Sequence, residues 1–157
     1  MSVQTSDWEA HFRALEKMYK SAPVNQFFLP ELSIPQKGEA IVTIQIREDF
    51  FHAAGATHGA VYFKAADDAA FFAANSVVKD SFVLTSNFFL NLLRPIKSGT
   101  MTAKGRVVQN AANLIIAESF LFDDRGREIG RGNGSFAKTK IFLSKEMGYD
   151  PDRKRKA

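Results

Sequence analysis

An α+β fold, in which one antiparallel sheet curls around a single long apolar helix, is what this 157-residue sequence predicts. Three observations predict it. Residues 58–78 are Ala-rich, free of Gly and Pro beyond Gly59, and apolar on nearly every face, so they read as a helix buried on most sides. One strand-like run precedes this segment and four follow it. The connections are short, which favours antiparallel neighbours. A sheet wrapped around the helix supplies the cover that an all-round apolar surface needs.

The elements read as follows. Residues 7–20 form an amphipathic helix with Trp8, Phe12, Leu15 and Tyr19 on one stripe, and Ser6 or Asp7 as its cap. Pro23, Pro30 and Pro35 break up the loop behind it. In residues 39–47, Val42, Ile44 and Ile46 alternate with Ile41, Thr43, Gln45 and Arg47, a strand signature. After the long helix come strands over 82–93, 100–109, 114–122 and 127–139, with a turn at Asp123–Gly126. Gly130, Gly132 and Gly134 share one face of the last strand. They read as room for the central helix or a subunit neighbour, not as a dinucleotide-binding loop. The chain reads as one domain: a helix and loop over 1–37, a core over about 38–140, and a disordered basic tail over 145–157.

Composition narrows the function. With no Cys there is no disulfide, thiolate metal site or Cys nucleophile. The three His (His11, His52 and His58) show no metal-ligand spacing with acidic residues, so neither a metal nor a cofactor is expected. The net charge is +4, and Asp152–Lys156 carries four basic residues and one acid. Without that run the body is at 4 − 3 = +1, too near neutral for a broad nucleic-acid footprint. The polar N-terminus lacks a signal core, and the longest apolar run, Ala65–Val78, is broken by Asp67, Asp68 and Asn75. The expectation is a cytoplasmic protein with no membrane span. Phe is abundant, at 15 residues against 1 Trp and 3 Tyr, which suits dry cores and apolar pockets.

The chemistry concentrates between His52 and Asn75. Asp67 and Asp68 stand in an otherwise apolar helix, where an ionised carboxylate needs a partner. Neighbouring helical residues point about 100° apart, so one Asp faces inward and the other an edge. Lys64 can pair with either on the surface, and Asp68 is read as the edge residue beside it. His58-Gly59 opens the helix, and a helix N-terminus offers free N–H donors to a carbonyl oxygen.

The stretch GATHGAVYFKAADDAA, Gly55 to Ala70, resembles the signature of PaaI-like hotdog thioesterases, roughly N-x-x-G-x-x-H-G-G-x-x-F-x-L-A-D. Gly55, His58, Gly59, Phe63, Ala66 and Asp67 match it in register, and the resemblance extends over about residues 38–140. It implies a hotdog fold in which two subunits join their sheets edge to edge. It also implies hydrolysis of acyl- or aryl-CoA thioesters at sites between subunits. Asp67 matches the family's acidic catalyst and Gly59 its backbone donor. Thr85 falls where a hydroxyl orients water in some members. Two positions depart: His52 stands for the family Asn, and Ala60 for the second Gly of H-G-G. A His at position 52 can hydrogen-bond or act as a base near neutral pH.

The expected site therefore has Asp67, Gly59, His52 and Thr85 as catalytic groups, and His58, Gly55, Phe71 and Phe88 as substrate-binding groups. Phe72 and Phe89 are further candidates for the acyl pocket. His58 and Asp67 are nine residues apart, on opposite sides of the helix, so Gly59 is expected to work with Asp67 of a second subunit in a homodimer or homotetramer. Asp67→Asn is expected to cut turnover and Asp68→Asn to do little. The alternative is a hotdog module that binds acyl-CoA or a fatty acid without turnover.

Overall fold

The computed structural model describes residues 2–151, with side chains from residue 7 onward. Of the tail read as disordered over 145–157, residues 145–151 pack on the fold, with a 3-10 turn at Lys145–Met147 and a buried Tyr149 whose hydroxyl lies 2.7 Å from His11 Nδ1, and residues 152–157 lie outside the described residues. In chain order the elements are α1 (Ser2–Ser21), α2 (Asn25–Phe28), β1 (Glu31–Ser33), β2 (Glu39–Gln45), α3 (Gly59–Asn75), β3 (Ser81–Leu92), β4 (Thr100–Asn110), β5 (Leu114–Phe122) and β6 (Glu128–Phe142).

The six strands form one antiparallel sheet in the order β1-β2-β4-β5-β6-β3. The helix α3 lies against β2, β3, β4, β5 and β6, so the sheet curls around it as the sequence predicts. The close fit comes from small residues. Ala65, Ala66, Ala69, Ala70, Ala73 and Ala74 are all fully buried. Gly105 of β4 meets α3 so closely that a Cβ there would sit 2.2 Å from the Ala69 carbonyl oxygen. The Ser119 hydroxyl donates to the Ala66 carbonyl at 2.8 Å from the β5 side.

The structure corrects the sequence reading in several places. The first helix starts at Ser2, so Asp7 lies inside it and pairs with Lys79 instead of capping it. The central helix stops at Asn75, short of Val78, because the Asn75 side chain turns to bond Val78, Ser81 and Val83. The proline-rich loop holds α2 and the edge strand β1, in which Leu32 pairs with Val42. Short connections did not always join neighbours: β3 pairs with β6, and residues 93–99 cross the open end of the curl to reach β4. Ile96 anchors that crossing in the core, and the Tyr62 hydroxyl donates to the Arg94 carbonyl at 2.8 Å.

The glycines of β6 also serve a different neighbour. Cβ atoms on Gly132 and Gly134 would sit 2.7 Å from the Phe88 ring and 2.5 and 2.4 Å from β3 carbonyl oxygens. They make room for β3 and its Phe88. The ladder between β3 and β6 slips between Thr85 and Asn87, leaving Ser86 as a bulge. A bulge shifts the inward phase of a strand by one residue. Val83 and Thr85 precede it on the helix side, and Phe88 and Leu90 follow on that side, which leaves Phe89 65% exposed. Among the described residues, no helix is long and apolar enough to cross a membrane.

Candidate active site

Asp67 lies mid-way along α3 beside a pocket of about 380 Å³. The α3 side contributes Lys64, Asp67, Asp68, Phe71 and Phe72, and β3 contributes Phe82, Leu84 and Thr85. The third wall is the end of α1 and the turn behind it, with Met18, Tyr19, Ala22, Val24 and Asn25. The lining is mostly apolar, with the two carboxylates at one end. That is the usual composition of a small-molecule site.

The Thr85 hydroxyl donates to the Asp67 carboxylate at 3.1 and 3.4 Å. Its proton is thus directed at Asp67 itself, so it orients the acid rather than a free water. Asp68 points to the α1 side. One of its oxygens accepts from the Lys64 ammonium at 2.5 Å and from the Tyr19 hydroxyl at 2.7 Å. Both members of the ion pair are largely buried, 14% and 16% exposed, so it is not the surface pair the spacing suggested.

Burial pushes the Asp67 carboxyl up to about 6, the Asp68 charge adds to the rise, and the Thr85 hydrogen bond and the Lys64 charge offset part of it. Burial also raises Asp68, against the charge and hydrogen bond of Lys64 and the hydrogen bond from Tyr19. Asp68 has two donors and Asp67 one, so negative charge settles first on Asp68, and Asp67 ionises second, in time to be a carboxylate at neutral pH. Burial and the adjacent Asp68 push the Tyr19 phenol far up, so it stays a donor.

A second group gathers at the start of α3. His58 caps the helix, its Nδ1 accepting from the Ala60 N–H at 2.9 Å. Among the described residues nothing accepts from the Gly59 N–H. Gly55 closes a turn by donating to the His52 carbonyl at 2.9 Å, with φ +77°, a conformation that favours glycine. His52 is exposed, and its Nδ1 accepts from the Ala54 N–H at 3.1 Å.

The structure therefore brings Asp67, Thr85, Phe71 and Phe72 together, and separately His52, Gly55, His58 and Gly59. Phe88 belongs to neither: it covers the β6 glycines and meets Phe63 edge-on at 5.5 Å. Gly59, Phe63 and Asp67 lie on one partly exposed stripe of α3, not on opposite faces. What divides the two groups is axial distance, eight residues or about 12 Å. Sequence reasoning missed Met18, Ala22, Val24 and Asn25, and saw Tyr19 only as an apolar stripe residue. Its position on that stripe was the available signal. Among the described residues no cluster of His, Asp and Glu is arranged to hold a metal ion.

Asp68→Asn, expected from sequence to do little, has two effects in this geometry. Removing the neighbouring charge lets Asp67 ionise at lower pH, so the acid limb of a pH–rate profile moves to lower pH. Lys64 also loses its partner, which costs roughly 2 kcal/mol in a denaturant titration. An unmoved limb would show that the two carboxylates are not coupled.

Comparison with known proteins agrees with this architecture. Residues 54–129 match the thioesterase superfamily model. Two Saccharolobus solfataricus proteins, both named as candidate esterases, are 27% and 23% identical to the chain over 129 and 122 residues. The matches cover 82% and 78% of the chain and 92% and 81% of the relatives. The Escherichia coli PaaI protein of the phenylacetic acid degradation operon superposes with a TM-score of 0.78 at 18% identity, over 91% of this chain and 100% of that one. A Haemophilus influenzae thioesterase superposes with a TM-score of 0.71 at 16% identity, over 77% and 85%. Residues 54–129 are thus similar to the thioesterase superfamily, and the chain shares the hotdog fold of these solved structures.

Proposed function

We propose that the protein hydrolyses acyl- or aryl-CoA thioesters to the free acid and CoA, at sites completed by a second subunit. The observation that carries this reading is Asp67. Its carboxylate is half-buried at the end of an apolar pocket, oriented by Thr85, and pushed up to about 6. A base with that affinity is matched to work near neutral pH.

In the proposed reaction the acyl group lies in the pocket and the thioester carbonyl at its mouth. The Asp67 carboxylate takes a proton from water, and the water oxygen bonds to the carbonyl carbon. The negative oxygen so formed accepts from the Gly59 N–H of the other subunit. The C–S bond then breaks, and the thiolate leaves and takes up a proton. Support for a second subunit comes from two features. The two groups are too far apart along one helix to reach the same carbonyl. The strand β3 forms a sheet edge with Phe89 and Leu92 more than half exposed. A dimer or a dimer of dimers fits both.

A thiol-release assay across a panel of acyl-CoAs, with light scattering at the same concentration, tests this. The expected result is turnover by a dimer or larger assembly. Tight binding with no thiol release by any substrate would make the protein a binding module, and full activity from a monomer would remove the shared site.

A further inference from the structure

The pocket beside Asp67 is closed on one side by residues that lie outside the matched segment 54–129. We propose that the end of α1 and the turn after it form the wall that selects the acyl group by size, with Ala22 and Val24 as its size-determining residues. This rests on the acyl pocket of the proposed function.

The wall is fixed, not loosely laid on. The Tyr19 hydroxyl donates to Asp68 at 2.7 Å, its ring meets Phe72 edge-on at 4.9 Å, and the Lys64 ammonium lies 5.2 Å from the ring centroid. One step further on, the buried Asn25 amide donates to the Tyr19 carbonyl at 2.7 Å and pins the turn that carries Ala22 and Val24. Opposite stand Phe71, Phe72 and Phe82. Phe71 touches both of the other rings at centroid distances of 5.0 Å, so that wall is rigid as well.

Between two fixed walls, the open space is set by whichever lining side chains are small. Ala22 is the smallest on the α1 side. Val24, 53% exposed, faces the pocket with Leu84, 45% exposed, and the two form its apolar rim. An acyl chain longer than the chamber has to pass this rim. One methylene more or less in such a pocket changes kcat/KM by about tenfold or more.

The test compares Ala22→Phe and Val24→Trp with the parent on straight-chain acyl-CoAs from butyryl to decanoyl. In both variants the decanoyl-to-butyryl ratio of kcat/KM is expected to fall about tenfold or more. Val24→Trp lies on the surface and keeps the test open if Ala22→Phe does not fold. An unchanged ratio overturns the wall. Calorimetric titration with the free carboxylates of the same lengths separates this from the proposed function. If the parent releases no thiol, hydrolysis fails, and the wall stands only if the variants shift the ratio of carboxylate affinities. No thiol release together with no binding of any carboxylate would overturn both.

Discussion

Asp67→Asn lowers thioester turnover by about 100-fold or more, the usual contribution of a positioned base. The amide keeps the shape of the side chain and can still accept from Thr85, so the pocket keeps its walls and substrate affinity changes little. The same substitution raises stability above pH 6. In the unfolded chain the carboxyl ionises in its ordinary range, whereas in the fold burial and Asp68 push it up to about 6. Between those values the folded state binds more protons than the unfolded one, so stability falls as pH rises through that window. An Asn has no such proton to lose. Kinetics and denaturant titrations at pH 5 and 8 check both halves: the activity deficit widens with pH, and the variant gains stability relative to the parent. Loss of activity with loss of stability at pH 8 would make Asp67 a structural residue. Unchanged activity would leave the pocket as a binding site.

Gly105→Ala costs about 3 kcal/mol or more of folding stability, from a single methyl group. The added Cβ would lie 2.2 Å from the Ala69 carbonyl oxygen, 2.3 Å from its carbon and 2.7 Å from the Ala70 nitrogen. All three are helix backbone, so no side chain can swing aside. Either α3 or β4 has to move, in a core where neighbouring Ala residues leave no slack. Denaturant titration measures the loss directly. A loss below about 1 kcal/mol would show that the helix can lift off the sheet without cost.

The sequence displayed the parts of this architecture that depend on pattern. The Ala run of α3, the alternation of Val42 and Ile44, and the His58-Gly59 helix start all carry local signals, and each lies where the pattern puts it. What was hidden depends on which distant residues meet. Tyr19 and Asp68 are 49 positions apart, and no spacing links them. The Ser86 bulge has no residue signature, yet it lets Phe88 face the β6 glycines from the same side on which Thr85 meets Asp67. Gly105 looks like an ordinary strand glycine until α3 is laid across it. The opposite-faces argument failed for a local reason. It counted from His58, which caps the helix from outside, whereas the count from Gly59 gives eight residues and a rotation of only about 80°.

The pairing of β3 with β6, and not with the strands nearest to it in sequence, constrains how the chain is made. β3 ends at Leu92 and its partner at Phe142, so 142 − 92 = 50 residues separate their completion. At ordinary ribosomal speeds that is roughly three to ten seconds. During that interval the run FVLTSNFFLNLL has neither its ladder partner nor the glycines that seat Phe88. The segment that completes the pocket in the folded protein is thus, during synthesis, an unpaired, uncharged apolar run of the kind that aggregates.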